Sequence, residues 1–239
     1  MENKNNLAAF GFILGGAIVL SFLIGSFTFY KIRTAESITS TGSAKVAVTS
    51  DSVKWISTIT RATELGSVQS GYAKMATDLK EVQAFLATNG IPVADISVNP
   101  IFMQEIWDNN GNPEKRYNLI QNIEVQSADV DKIANLSKNT SLVTEKGVLF
   151  VTQSVEYYYS RLPETRVELL DKAVADAKAR AEKLASAGGK RIGALKSASS
   201  GVVQVLSPNS AEVTDYGTYN TSTIEKEIMV TVKATFQIR

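Results

Sequence analysis

An uncharged apolar stretch near the start of the chain constrains this protein more than any other feature. Residues 7–30 contain no Asp, Glu, Lys or Arg and are rich in Phe, Ile, Leu, Gly and Ala. A helix of about 24 residues is roughly 36 Å long, which is enough to cross a hydrocarbon core about 30 Å thick. The sequence therefore predicts a single-span membrane anchor, represented by Leu7, Phe12, Leu20, Phe29 and Tyr30.

A cleaved signal peptide is the alternative for this stretch. Its apolar segment is usually about 7–15 residues long and ends at small residues of the A-x-A type. Here the stretch is longer, and the nearby candidate Ala35 has the large charged Arg33 two positions before it. An uncleaved anchor is therefore favoured.

The charges that flank the stretch bear on its orientation. Lys4 and the chain amine lie on the N-terminal side, and Lys31 and Arg33 lie on the C-terminal side. Because Lys and Arg favour the cytoplasmic side, this difference slightly favours a cytoplasmic C-terminal domain.

The remaining part of the chain is long enough for one domain with a sizeable core, which we assign to residues 37–239, after a tail and anchor in residues 1–36. The whole chain has 25 Lys+Arg and 24 Asp+Glu, and leaving out the charges of residues 1–36 makes the rest formally neutral. A neutral domain lacks the clustered cations that nucleic-acid backbones require. We therefore expect no nucleic-acid partner.

Alternating apolar residues predict the strands of this domain. Apart from Lys226, the even positions of residues 224–238 are apolar and alternate with mostly polar or charged residues, which predicts a long strand with one buried face. Residues 38–48 alternate in the same way, and Asp51 and Ser52 predict a turn into a second strand. Residues 117–125 alternate again, residues 147–159 are typical of a central strand, and residues 108–113 predict a turn between two antiparallel strands.

Spacings of three and four predict two long helices. The first carries an apolar stripe and ends at Asn89-Gly90, and the second begins near Pro163 and ends at Gly188-Gly189. Such stripes also suit a coiled coil between subunits, but at this length packing on the chain's own sheet is favoured. The predicted stripes are Leu65, Val68, Tyr72, Met75, Leu79, Val82 and Leu86, and Val167, Leu170, Val174, Ala177, Ala181 and Leu184.

A shorter helix is predicted at about residues 128–137, with Ser127 as its N-terminal cap and Val130, Ile133 and Leu136 facing inward. The element order then predicts an α+β domain with a largely antiparallel sheet, a ferredoxin-like βαββαβ portion and an αββ extension. Residues 207–222 are polar and predict an exposed loop between the last two strands.

Residues that could perform catalysis or bind metal are sparse. The chain has no His and no Cys, which excludes Ser-His-Asp and Cys-His arrangements and Cys/His zinc sites. Asp108, Asn110, Asn112 and Glu114 resemble a calcium loop, but Gly111 and Leu119 fall at the wrong positions for one, so a plain turn is favoured. We predict no catalytic residue, no cofactor site and no metal site.

Two further groups of residues have a structural explanation and a functional one. Glu225 and Glu227 lie on the same outer face of the last strand, where a solvated sheet face is favoured over a glycosidase-like pair. The run Tyr157 to Tyr159 could stack a ligand, but aromatic residues at a strand end more often pack or form an interface.

Several segments resemble the SIMPL domain family of bacterial envelopes. They are the Gly42-containing first strand that ends at Asp51, residues 86–91 followed by Asp95, the Ala-rich helix of residues 173–184, residues 188–193, and the terminal strand. The resemblance covers nearly all of residues 37–239. Ser50 departs from it, since Pro is expected before Asp51.

The resemblance implies an exported domain, ring-like homo-oligomers and loosely defined links to oxidative or envelope stress. We therefore expect a non-enzymatic protein anchored in the bacterial inner membrane, with its domain in the periplasm or exterior. The alternative is a hydrolase or ligand-processing enzyme that uses carboxylates and hydroxyls. Tyr216, Gly217 and Tyr219 of the polar loop are the predicted assembly contacts, and the sequence identifies no other protein partner.

Overall fold

The computed structural model describes residues 2–33, 36–107, 115–210 and 214–239. These residues form an α+β structure in which nearly all strand pairs are antiparallel, as predicted. The predicted turn at residues 108–113 lies outside the described residues. The elements are α1 (Glu2–Arg33), β1 (Ser37–Thr49), β2 (Ser52–Glu64), α2 (Val68–Thr88), β3 (Ile96–Val98), β4 (Phe102–Ile106), β5 (Arg116–Ser127), α3 (Val130–Leu136), α4 (Ser141–Thr144), β6 (Leu149–Tyr158), α5 (Leu162–Ala187), β7 (Ile192–Leu206), β8 (Thr218–Tyr219) and β9 (Glu225–Ile238).

The helix α1 contains the predicted membrane anchor. Its segment Phe10–Tyr30 has a mean hydropathy of 2.2 and is long and apolar enough to cross a membrane. Phe12, Leu20, Phe29 and Tyr30 expose well over half of their surface, and Leu7 lies in the same helix. Large exposed apolar side chains are what a lipid-facing helix requires.

The chain divides into two compact units. One comprises Met1–Ala44, Leu170–Gly201 and Val230–Arg239, and the other comprises Lys45–Leu169 and Val202–Met229. We call them the helix α5 unit and the ferredoxin-like unit. The predicted boundary between residues 1–36 and 37–239 stays a prediction.

The ferredoxin-like unit contains a five-stranded sheet in the order β3-β5-β2-β6, with β4 also paired to β5. All of these pairs are antiparallel. With the helices between them, this order confirms the predicted βαββαβ arrangement. The prediction that residues 147–159 form a central strand is wrong, because β6 lies at the end of the order and pairs with β2.

The core of this unit lies between the sheet and helices α2 and α3. Trp55 and Ile59 of β2 are fully buried with Met75, Val82 and Leu86 of α2. Packing on the chain's own sheet is therefore confirmed for α2. The start of its predicted stripe is wrong, however, since Leu65 and Tyr72 are exposed, whereas Gly71 and Asp78 are buried.

Gly71 explains this rotation of the α2 stripe. A Cβ atom there would lie 2.9 Å from Leu119 Cδ1 and 3.0 Å from Thr63 Cβ. A residue without a side chain therefore allows the start of α2 to approach the sheet closely. The helix α3 buries Val130, Ile133 and Leu136 as predicted, but its cap is Asp129, which accepts a hydrogen bond from Lys132 N, and not Ser127.

The helix α5 unit is built on small residues. Ala173, Ala177 and Ala181 are fully buried against Val232, Ala234 and Phe236 of β9. Packing on the chain's own sheet is therefore confirmed for α5 as well. The predicted stripe was partly wrong, because Val167 and Leu184 are 64% and 58% exposed. Alanines form the contact line because they allow a helix and a sheet to approach closely.

The second sheet has the order β1-β9-β7-β8. On β9, Ile228, Val230, Val232, Ala234 and Phe236 are buried, which confirms the predicted alternation. The polar loop contains the two-residue strand β8, which pairs in parallel with β7. Strands as short as β3 and β8 carry no periodic pattern, so the sequence did not predict them.

Candidate functional site

The first strand and helix α5 meet where the SIMPL resemblance places Gly42. A Cβ atom at Gly42 would overlap Ala173 O and Ala177 N and would lie 2.8 Å from Ala177 Cα. Ser40 Oγ also donates a hydrogen bond to Ala177 O at 2.5 Å. Gly42 and the Ala-rich helix are therefore two halves of one close contact.

A carboxylate holds the same strand. Ser43 N donates to Asp176 Oδ2 at 2.8 Å, and Arg180 Nε lies 2.9 Å from the same oxygen. The hydrogen bond from Ser43, followed by that from Arg180, holds the pKa of Asp176 below its usual range. The Asp176 carboxylate thus accepts a hydrogen bond from a backbone N–H group of β1.

The strand β7 is exposed over much of its length. Its residues 194–201 are all exposed, although they lie in a regular strand beside β9. Among the described residues, the outer edge of β7 pairs only with β8, at Gln204 and Val205. Between Ile192 and Gly201 no other described strand therefore pairs with this outer edge. Such an edge is a template for pairing with another chain.

Backbone geometry shows which groups lie at this open edge. Arg191 and Arg239 exchange two hydrogen bonds, of 2.9 Å and 2.7 Å, so they form a hydrogen-bonded antiparallel pair. N–H directions alternate along a strand, so the odd-numbered residues that follow Arg191 donate toward β9. The alternation shifts between Gly201 and Val205, because Val205 O faces β8 and accepts a hydrogen bond from Asn220 N at 2.8 Å. Gly193 lies against Arg239 and Gly201 against Thr231, which is the same offset between the two strands, so up to Gly201 the even-numbered residues, including Ala194, Ala198 and Ser200, direct their N–H groups to the open edge.

The open edge carries few features that prevent pairing. Between Ile192 and Gly201, Lys196 is the one charged residue and there is no Pro. Charged residues and Pro are the usual protection of an edge strand. A groove of about 500 Å³ lies between α5 and the start of β7, lined by Ala179, Lys183 and Ile192 among others.

The polar loop contains the predicted contact residues Tyr216, Gly217 and Tyr219. Tyr216 is 97% exposed. Gly217 has φ of +83°, a conformation that favours Gly. Tyr219 is held by its own chain, because its hydroxyl accepts a hydrogen bond from Tyr159 N at 2.9 Å and its ring lies 5.9 Å from that of Tyr158. Of the two tyrosines, Tyr216 is the one directed to solvent.

A buried lysine anchors the end of this loop. Lys226 is 1% exposed and lies on the inner face of β9, and its Nζ donates to Asn220 O and, at 2.8 Å, to Thr223 O. The same Nζ lies 5.7 Å from the centre of the Tyr219 ring. Burial lowers the pKa of Lys226 to about 8. Its even position in the last strand agrees with the inner face, but no sequence pattern indicates that it binds these carbonyls.

The strand-end Asp51 has a structural role. Its carboxylate accepts hydrogen bonds from Ser160 N at 2.7 Å and from Ser160 Oγ at 2.8 Å. Ser50 N and Oγ both donate to Ile224 O, at 2.9 Å and 2.8 Å. A Pro at position 50 has no N–H and could not make the first of these bonds.

The carboxylates considered for catalysis have ordinary partners. Glu225 accepts from Thr49 Oγ1, and Glu227 pairs with Lys45 at 3.0 Å, which confirms the outer sheet face. The residues that the structure describes contain no group of three or more Asp or Glu able to hold a metal ion. The calcium-loop alternative at residues 108–114 lies outside the described residues. Four cavities, at the start of α2, along α5, beside β7 and near α3, each include at most one carboxylate.

Comparison with known proteins identifies the family. No curated protein matches the chain. The model of the SIMPL family, described as proteins of unknown function (DUF541), matches residues 38–236. This range includes Gly42, Asp51, the alanines of α5 and the open edge of β7. The chain therefore belongs to the SIMPL family, and α1 precedes its SIMPL domain.

Proposed function

We propose that this protein is a non-enzymatic envelope protein that self-assembles into a closed homo-oligomer through its SIMPL domain. The SIMPL domain and a helix able to cross a membrane fit a membrane-anchored envelope protein. The further steps of the proposal are assembly, the side of the membrane on which the domain lies, and a role in envelope or oxidative stress.

The open edge of β7 carries the proposal. Among the described residues, no strand pairs with the outer side of β7 from Ile192 to Gly201, and residues 194–201 are exposed on both faces. The segment is rich in Ser, Ala and Gly, so a second strand can approach without steric hindrance. Strand addition at such an edge provides affinity through main-chain hydrogen bonds. We place the main subunit contact here and a second contact at Tyr216.

The proposed location is the inner membrane, with the domain in the periplasm. Protease added to spheroplasts is expected to digest the domain while a cytosolic marker survives. Protection of the domain until the membrane is lysed would instead support the orientation that Lys31 and Arg33 favour.

Assembly is tested by Ala198→Pro in the full chain, extracted in a mild detergent. Pro at position 198 removes an N–H that faces the open edge and leaves the bonds to β9 in place. We expect the particle mass to fall toward that of the monomer while the far-ultraviolet circular dichroism stays unchanged. Ala198→Val is the matched control, since Val keeps the N–H and favours extended backbone.

A second variant tests the assigned hydrogen-bond direction. Ser199→Pro removes an N–H that faces β9, so we expect it to destabilise the monomer itself. If Ala198→Pro assembles like Ala198→Val, the β7 edge is not the subunit contact. If the wild-type protein is monomeric at micromolar concentration, the proposal of self-assembly is wrong.

A further inference from the structure

One end of the helix α5 unit lies close to the membrane anchor along the chain. Lys190 Nζ donates a hydrogen bond to Glu36 Oε2, and Glu36 O accepts another from Ile238 N at 3.0 Å. Glu36 follows Arg33, the last residue of α1, by three residues, so their Cα atoms are at most about 11 Å apart. Arg33 in turn lies about 4.5 Å along the helix from Tyr30, where the apolar segment ends. In a membrane spanned by α1, Glu36 is therefore within about 16 Å of the hydrocarbon core, and the headgroup layer fills about 5–8 Å of that distance.

Backbone hydrogen bonds place two arginines beside Glu36. Arg191 and Arg239 exchange hydrogen bonds of 2.9 Å and 2.7 Å, and Arg239 directly follows the residue that donates to Glu36. Residues that lie opposite each other in such a pair direct their side chains to the same face of the sheet. Both arginines are exposed. Two guanidinium groups therefore share one face at this end of the unit.

The groove of about 500 Å³ between α5 and the start of β7 continues this cationic surface. Lys183, Ser186 and Lys190 line it together with Glu182. The Lys183 ammonium is exposed and has no ion-pair or hydrogen-bond partner among the residues that the structure describes. Glu182, in contrast, lies 3.9 Å from Lys178, one helical turn earlier. The groove therefore offers a free ammonium group beside the two arginines.

Positive charge exceeds negative charge at this end even when every nearby carboxylate is counted. Its cations are Lys31, Arg33, Lys183, Lys190, Arg191 and Arg239, and its anions are Glu36, Glu182 and the carboxylate of residue 239, so six charges stand against three. The negative end of the α5 dipole also lies here, but the N–H groups of residues 188–190 bond to its last carbonyls. The excess of three positive charges lies within about 10 Å of the headgroup layer, a distance comparable to the Debye length.

We propose that this end of the helix α5 unit binds the anionic phospholipid headgroups of the membrane that α1 spans. The inference rests on the membrane anchoring stated in the proposed function. Guanidinium forks bind phosphate oxygens in pairs, and an ammonium binds them as a point charge. Because α1 holds the cations near the membrane surface, the contact forms at high effective concentration and needs little affinity of its own. The binding residues are Lys183, Lys190, Arg191 and Arg239.

The test uses the full chain in an uncharged detergent, mixed with equal amounts of phosphatidylglycerol and phosphatidylcholine. Native mass spectrometry gives the ratio of bound phosphatidylglycerol to bound phosphatidylcholine. One cation near an anionic surface changes such binding about fivefold, so we expect Arg191→Gln and Lys183→Gln each to lower the ratio about fivefold. Lys172→Gln is the matched control, because Lys172 is exposed on α5 about 16 Å along the helix from Lys183, away from α1.

The outcomes separate the lipid contact from the anchor. A ratio that falls in Arg191→Gln and Lys183→Gln but not in Lys172→Gln supports the proposal. If the ratio changes equally in all three variants, or if the wild-type chain shows no preference between the two lipids, the proposal is wrong. Alkaline carbonate extraction of wild-type membranes tests the anchor by itself, since release of the protein would overturn the anchoring and retention would not. The three side chains are exposed, so none of the substitutions is expected to disturb folding.

Discussion

The contact between Gly42 and helix α5 leads to a prediction about Gly42→Ala. The new Cβ atom would lie 2.8 Å from Ala177 Cα, whereas ordinary contacts begin at 3.4 Å, so strand and helix must separate by at least about 0.6 Å. Ala173 O and Ala177 N would be closer still. All three atoms belong to the backbone, so no rotamer change can relieve the overlap.

The loss of stability in Gly42→Ala comes from the packing contacts that this separation loosens. Ala173, Ala177 and Ala181 are fully buried against β9. A gap of 0.5–1 Å removes about a quarter to a half of each contact's dispersion energy. We therefore expect Gly42→Ala to destabilise the helix α5 unit by about 3 kcal/mol, the upper end of the usual cost of overpacking.

Amide hydrogen exchange is the suitable assay, because a chain with two compact units need not unfold in one step. Protection of the α5 amides is expected to fall by about two orders of magnitude in Gly42→Ala, the equivalent of about 3 kcal/mol. Gly188→Ala is the control, since its Cβ atom would lie 3.5 Å from Ala185 O. Equal protection in the two variants would refute the reasoning.

Three more variants test the ferredoxin-like unit. Arg61→Met leaves the buried carboxylate of Asp78 without its partner and should lower the free energy of unfolding in urea by about 3–5 kcal/mol. Asp78→Asn should lower it less, because the Arg61 side chain is 29% exposed and can reach water. A larger loss of stability in Asp78→Asn than in Arg61→Met would contradict this. The pKa of Lys226 is lowered to about 8 from 10.5, so the unfolded chain binds more protons between these values. Stability from this group should therefore rise with pH from about 8 to 10.5, and the same pH series in Lys226→Met should lack this rise if the assignment is correct.

The patterns that repeat along the chain determined much of the fold. Apolar length predicted α1, alternation predicted β5 and β9, and Asn89-Gly90 and Gly188-Gly189 predicted the ends of α2 and α5. These signals are local, because each depends on the pleat of one strand or the turn of one helix. The SIMPL segments could also be identified without coordinates, since they lie in fixed order along the chain.

Which residues meet depended on the tertiary structure. Gly42 and Ala177 are more than a hundred positions apart, and nothing in either segment specifies the other as its neighbour. The buried faces of α2 and α5 differ from their most apolar stripes because close approach selects Gly71 and the alanines over larger side chains.

The candidate sites depended most on the tertiary structure. The loop tyrosines were predicted from composition, but only the fold placed Tyr219 against Lys226 and left Tyr216 in solvent. No local pattern indicates that most of β7 has a strand on one side only, or that Arg61 and Lys74 line one cavity. The sequence by itself determined which segments are helices and strands, since that depends on near neighbours. The tertiary structure decided which edges and charges stay free, since that depends on what every other segment covers.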